Sequence, residues 1–232
     1  MQNVLDSRPH ARAAASLTTH TVSRLAEIAP GVFSLSVPRT ASFLPGQCVA
    51  LTISPETPAR YYSIASGAGE SELSVLFDHV PGGALTPKLC RLRPGDTVLV
   101  SAPFGEFTDR AGEPAVWIAT GTGIAPFLSM ARSFSTHGKT LIHGARSADR
   151  FYFAAELSRL LGPRYIRCAS RGRDHGAEIY AGRLTAYLRE AAECAPEERY
   201  YLCGSAGMVV DVRDILIDRG VAYRNIVSEI YF

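Results

Sequence analysis

Midway along the chain the spacing of apolar residues changes, and this change constrains the fold more than any other feature. Up to about residue 100 the apolar segments are short and divided by turn signals. Strands at 21–28 and 32–37 flank Pro30-Gly31, and Pro45-Gly46 precedes an apolar run at 48–53. A strand at 59–66 ends in the turn 67–69, residues 73–80 alternate, and Pro94-Gly95-Asp96 leads into 97–100. Short strands at even spacing with such turns read as a small antiparallel barrel. After Pro114, apolar runs at 115–119, 140–143, 165–170, 200–203 and 227–232 alternate with helical stretches that end near 134 or span 151–161, 184–192 and 208–219. That alternation predicts a parallel sheet of about five strands with helices on both faces. Residues 104–114, with Gly105, Gly112 and Pro114 among charges, form the connection. The expected architecture is two-domain: a tail over 1–17, an antiparallel six-stranded β-barrel over 18–109, and an α/β parallel-sheet domain over 113–232.

Composition removes several classes. A net charge of +2 on 232 residues is too mild to argue for nucleic acid. No run approaches the roughly 18 apolar residues that span a bilayer. The N-terminus carries Arg8 and Arg12 but no apolar core, so it does not read as a secretory signal. Five scattered cysteines without a C-x-x-C pair fit reduced thiols in a cytoplasmic protein. The dispersed histidines give no reason to expect a metal site.

Six stretches carry residue types suited to chemistry. In Arg60-Tyr61-Tyr62-Ser63 the strand alternation puts Arg60 and Tyr62 on one face and Tyr61 and Ser63 on the other. The arginine fork suits a phosphate, a tyrosine ring suits an aromatic cofactor, and the serine hydroxyl suits a ring nitrogen. The plainer reading is a half-buried strand. At Gly82-Gly83-Ala84-Leu85-Thr86-Pro87, Thr86 reads as an N-cap with proline at the first helical position, so a helix start with free amides could face a phosphate. A capped helix closing a barrel end is equally consistent.

Thr120-Gly121-Thr122-Gly123 sits at a strand-to-helix turn, where open α/β sheets bind ligands, and its glycines leave room for a pyrophosphate. A tight turn needing glycine is the alternative. After the third α/β strand come Ser170, Arg171 and Arg173, with Tyr180 and Arg183 further on. Arginines there suit a ribose 2′-phosphate and tilt the cofactor toward NADP over NAD, unless the run is a solvated basic loop. Cys203 begins another strand-to-helix turn and is placed facing the crevice; taken alone it reads as an inert buried thiol. The terminal Tyr231 and Phe232 could pack in the core or cover a bound ring.

Together these stretches resemble the ferredoxin–NADP reductase family, in particular the short bacterial ferredoxin/flavodoxin–NADP reductases. The likeness runs from about His20 to the end. It rests on R-Y-Y-S at 60–63, G-A-L-T at 83–86, G-T-G-I-A-P-F-L-S at 121–129, I-H-G-A-R at 142–146, C-G-S-A-G-M at 203–208 and the ending E-I-Y-F. The resemblance implies that Arg60 holds the FAD pyrophosphate, with Tyr61 beside it in the same motif. It implies that Tyr62 stacks on the isoalloxazine and that Ser63 sits by its N5. Gly83, Ala84, Leu85 and Thr86 would offer amides to the pyrophosphate. Thr120, Gly121, Thr122 and Gly123 would receive the nicotinamide nucleotide. Ser170 and Arg171, with Tyr180 and Arg183, would meet the 2′-phosphate. Tyr231 would cover the other flavin face and Phe232 the adenine, with Ser63, Cys203 and Glu229 as the catalytic set. The family's plant-type members end at the tyrosine, and this chain has one further aromatic. The implied activity is hydride transfer from NADPH to FAD and single-electron transfer to a separate ferredoxin or flavodoxin, by a monomer. Service to one oxygenase or haem enzyme, and a non-catalytic nucleotide or partner sensor, are the alternatives.

Overall fold

The computed structural model describes residues 16–171 and 178–231. Its N-terminal half holds seven strands in two antiparallel sheets. β1 (Leu17–Thr21), β7 (Thr97–Ser101), β4 (Cys48–Thr52) and β5 (Arg60–Ser63) form one sheet in that order. β2 (Arg24–Ala29), β3 (Val32–Pro38) and β6 (Glu72–Asp78) form the other. A bridge between Ile64 and Val75 ties the two together. The seventh strand is β1, which lies almost wholly before the expected strand at 21–28; that stretch forms β2 from Arg24 onward. The chain turns a corner at Val22-Ser23, where Val22 N–H donates to Asp96 O and Ser23 N–H to Ser36 O, and it changes sheets there. Inward-facing Val37, Val49, Leu51, Val75, Phe77 and Val100 fill the barrel. A single helical turn, α1 (Thr86–Leu89), follows β6.

The C-terminal half is a six-stranded parallel sheet. Its strands are β8 (Ala115–Thr120), β9 (Lys139–Ala145), β10 (Tyr165–Ala169), β11 (Ile179–Ala181), β12 (Arg199–Ser205) and β13 (Ile226–Tyr231), in the order β11-β10-β9-β8-β12-β13. The strand that the sequence pattern missed is β11, three residues long at the sheet edge. Helices α2 (Ala125–Ser133) and α3 (Ala154–Leu161) cover one face; α4 (Leu184–Glu190) and α5 (Ala206–Asp218) cover the other. The order grows outward from β8 through β9, β10 and β11, then restarts at β12 on the other side. The reversal lies between β8 and β12, and at such a switch point the carboxyl ends of the strands leave a crevice.

The two domains share a core. Val32, Ala65 and Leu76, on the outer side of the barrel, pack in one cluster with Trp117, Phe127 and Leu128 of the α/β domain. The connecting segment is pinned at its end. Asp109 accepts from Trp117 Nε1 at 2.7 Å and from Lys139 Nζ at 2.6 Å, and Lys139 Nζ also donates to Arg110 O. Both charged side chains are buried.

Candidate flavin and dinucleotide sites

The crevice at the switch point is a cleft of about 770 Å³. The turn after β8 supplies Thr120, Gly121 and Thr122 to its wall. The end of β9 supplies Gly144, Ala145 and Arg146, and Ser170 follows β10. Arg183 and Thr185 come from the start of α4, Ser205 from the end of β12, and Asp211 from α5. The two glycines of the turn serve different ends. Gly121 has φ +58° and open space around it, so its backbone faces the cleft. A side chain at Gly123 would come within 2.6 Å of the Cys203 carbonyl carbon, so this glycine lets the turn lie against β12. Thr120 Oγ1 is buried on the cleft wall with no hydrogen-bond partner among the described residues. Such an atom marks a place where a polar ligand fits.

The barrel also contributes to this cleft. Asp78, at the end of β6, accepts a hydrogen bond from Thr122 Oγ1 at 3.1 Å. Burial raises the Asp78 carboxyl, while that hydrogen bond and the Arg150 charge pull it down.

Along the barrel edge, β5 pairs with β4 and leaves its other side open. Arg60 is exposed and makes no hydrogen bond or ion pair among the described residues. Tyr61, 42% exposed, meets Phe104 edge-on at 5.3 Å. Tyr62 is half-buried against Phe77 at 6.3 Å, and burial pushes its phenol up to about 12. Buried Ser63 donates to Glu229 Oε2 at 2.7 Å. Glu229 lies on β13, in register with Cys203 on β12. The fold thus gathers Ser63, Glu229 and Cys203 from three strands of two domains. Cys203 itself has no exposed surface; it packs in the core with Ala119 and Ile124 rather than lining the cleft. Cys48, opposite Ser63 on β4, is pushed up to about 12 by burial and then by the Glu229 carboxylate.

The remaining sequence candidates are distributed as follows. Gly83 N–H donates to Val80 O, Ala84 is exposed and Leu85 is buried in the barrel core. Thr86 is not a side-chain cap. Leu85 occupies the cap position, and Thr86 Oγ1 instead accepts the Val80 N–H at 3.0 Å, a tertiary use of the hydroxyl that holds the loop back on itself. Ser170 and Arg183 line the cleft. Arg171 is exposed, with its N–H donating to Arg146 O. Tyr180 turns to α4, donating to Glu190 Oε2 at 2.8 Å and meeting Tyr187 edge-on at 5.3 Å. Arg173, the Tyr231 side chain and Phe232 lie outside the described residues. Sequence reasoning missed Asp78, Arg150 and Asp211 in the cleft, and it named Arg146 without giving it a role. Arg146 was open to inspection, since it follows the carboxyl end of β9 just as Ser170 follows β10.

An open barrel edge carrying an arginine unpaired among the described residues and a half-buried tyrosine, beside a switch-point cleft, suits a two-domain binder of nucleotide cofactors. Comparison with known proteins agrees. Residues 20–108 match the oxidoreductase FAD-binding domain, and residues 117–214 match the oxidoreductase NAD-binding domain. The chain is 30% identical to ferredoxin–NADP reductase A of Sorangium cellulosum over 88% of this chain and 84% of that one. It is 29% identical to the reductase component 2 of terephthalate 1,2-dioxygenase from Comamonas, over 85% of this chain. It spans 62% of that relative's length. A ferredoxin NADP+ reductase from Neisseria gonorrhoeae, solved with FAD and NADP, superposes with a TM-score of 0.81 at 22% identity, covering 94% of this chain and all of the other. The chain belongs to the ferredoxin–NADP reductase-like family. Among the described residues no helix is long and apolar enough to cross a membrane.

Proposed function

We propose that this chain binds FAD along the β5 edge and NADP(H) in the switch-point cleft, and that it passes electrons from the dinucleotide to a separate ferredoxin or flavodoxin. The observation that carries the reading is the Ser63–Glu229 hydrogen bond, which ties the β5 edge of the barrel to strand β13 of the parallel sheet. FAD, when bound, accepts a hydride from a nicotinamide and gives its electrons up one at a time.

The chain's own residues supply placement. Arg60 has unspent donors for a phosphate, and Tyr62 presents a ring backed by Phe77. Ser63 holds its hydroxyl proton toward Glu229, which fixes that proton's direction and keeps the carboxylate oriented at the seam. Gly121 leaves backbone exposed for a pyrophosphate, and Thr120 Oγ1 awaits a partner there. Arg146, Arg183 and Ser170 make the outer cleft suited to a 2′-phosphate, which favours NADP over NAD. Arg171, at the same end of the sheet, belongs to that set.

The terephthalate dioxygenase relative supports a second reading, in which the acceptor is an oxygenase component. An anaerobic visible spectrum separates these readings from a sensor. Yellow protein that bleaches with a small excess of NADPH, and less readily with NADH, supports the proposal. Protein that stays colourless after FAD is supplied overturns it. Turnover with ferredoxin, flavodoxin and oxygenase components, each offered in turn, then assigns the acceptor.

A further inference from the structure

A second cavity, of about 180 Å³, lies on another part of the domain seam. Its floor is the outer face of β2, β3 and β6. In one rung Arg24 stands opposite Ser36, and Ser36 opposite Ser74; Ser34 sits one rung along. Glu72 opens onto the same space from β6, and Arg132 and Phe153 close it from the α/β domain.

Three features set this cavity apart from an ordinary gap. Among the described residues the hydroxyls of Ser34, Ser36 and Ser74 make no hydrogen bond, and neither Arg24, which is exposed, nor half-buried Glu72 makes an ion pair; Glu70, which also lines the space, lies 3.8 Å from Arg132. Arg132 is different. Its fork is bound by Glu156 at 2.8 Å through two nitrogens, and it also reaches Ala65 O, so it is a fixed wall. Phe153, whose ring lies 5.4 Å from the Arg132 guanidinium, has φ 59°, the one positive φ outside glycine among the described residues. Strain of that kind persists where surrounding structure imposes it, and it gathers at ligand sites. Elsewhere on the same sheet face Val32 and Leu76 meet the other domain through a dry apolar core. Here the seam instead keeps buried Ser36 and Ser74 beside half-buried Glu72, polar side chains that are costly to cover without a partner.

We propose that this cavity binds a small zwitterion of the α-amino acid type. Its carboxylate accepts from Arg24 and the serine hydroxyls, and its ammonium donates to Glu72. The unpaired charges are one of each sign, on strands two positions apart in the sheet, which suits a ligand with two opposite ends better than a simple anion. The volume equals about six waters' share at ~30 Å³ each, room for a ligand the size of alanine. Both domains supply walls, so occupancy ties them together and raises stability by mass action. The inference does not depend on the flavin reading.

Calorimetric titration of the full chain tests it, with alanine compared against acetate and ethylamine, each of which carries one end alone. Saturable alanine binding is expected, with each half-ligand at least about tenfold weaker. Arg24→Gln and Glu72→Gln should each weaken alanine about tenfold, and Ser36→Ala by less. Arg183→Ala, in the cleft, should leave alanine binding unchanged. Thermal melts should rise with alanine in the parent and not in the Arg24 or Glu72 variants. Acetate binding as tightly as alanine, with Glu72→Gln silent, overturns the zwitterion. Absence of saturable binding up to about 100 mM overturns the site.

Discussion

The two domains meet along two strips of unlike construction. Along α2 the contacts are buried and many end on backbone. Ser129 Oγ donates to Ser66 O at 2.7 Å, Ala68 N–H donates to Ser133 Oγ at 2.9 Å, and Arg132 reaches Ala65 O while Glu156 grips its fork. Beneath them runs the shared apolar core. Away from α2 the crossing bonds are hydroxyl to carboxylate, Thr122 to Asp78 at the cleft and Ser63 to Glu229 between β5 and β13. A backbone acceptor in a packed core has one position, whereas the Thr122 hydroxyl, on a turn at the open cleft, rotates; buried Ser63 is held across the seam by the Glu229 carboxylate. The α2 strip therefore sets the pose of the domains, and the cleft strip is free to exchange its bonds for those of a ligand. Stability and chemistry occupy opposite sides of one seam.

The sharpest way to break this contrast is at the buried pair that anchors the connecting segment. Lys139→Met leaves Asp109 charged and buried beside Trp117. We expect a stability loss of about 3–5 kcal/mol, read by urea unfolding, with dinucleotide affinity unchanged in the folded fraction. A loss under about 1 kcal/mol would mean the packed side does not govern stability. On the cleft side the expected signature is reversed. Ser63→Ala should slow flavin reduction about a hundredfold in stopped flow while changing unfolding free energy by less than about 1 kcal/mol. Parental reduction rates in that variant would remove Ser63 from the reacting centre.

Acid separates the strips by sign. His143, on the α2–α3 face of the sheet, is fully buried, with Nδ1 2.9 Å from the Tyr165 hydroxyl and Phe151 edge-on at 5.2 Å. Burial, and then the Arg167 charge, push its pKa down to about 3. An unfolded histidine titrates near 6.5, so between those values the unfolded chain holds one more proton. The stability from neutral His143 is fully present above pH ~6.5 and is lost as pH falls toward 3, at up to about 1.4 kcal/mol per unit. Lowering pH from 7 to 5.5 should cost the parent about 1 kcal/mol, and His143→Gln should flatten that slope. Asp78 has the opposite sense. Its raised pKa means the protonated form suits the fold, so its contribution is present at low pH and lost as pH rises through the folded value.

The same two strips explain what could be read in the sequence. The period change near 114, the R-Y-Y-S edge and the Gly-Thr-Gly turn are local patterns, and each was legible because a strand or a turn carries its own signal. Glu229 entered through the likeness of the chain's last residues to a family. Asp78 was invisible: it ends an ordinary barrel strand, and only domain packing carries it to Thr122, 44 residues away. The strand at Leu17–Thr21 escaped for a related reason, since the change of sheet after it at Val22-Ser23 is decided by Asp96 and Ser36. Thr86 looked like a cap because caps are judged by neighbours, and tertiary structure gave its hydroxyl to Val80. Gly123 is read from the sequence as part of a ligand turn, and what the pattern does not show is that its missing side chain also makes room for the β12 backbone.

The finest test of the contrast is a double-mutant cycle on Thr122 and Asp78. Their bond is long for an O–H donor, 3.1 Å, and both side chains stand at the open cleft. A hydrogen bond to a carboxylate would contribute about 1.5–3 kcal/mol if buried, but water competes here, so a coupling of about 0.5–1 kcal/mol is expected from unfolding of Thr122→Val, Asp78→Asn and the pair. Dinucleotide binding should shrink that coupling, because a ligand on the Gly121 turn competes for the Thr122 hydroxyl. A coupling that is unchanged or larger with ligand bound would make the Thr122–Asp78 contact part of the fixed seam, and the division between a packed side and an exchangeable side would then rest on Ser63 and Glu229 alone.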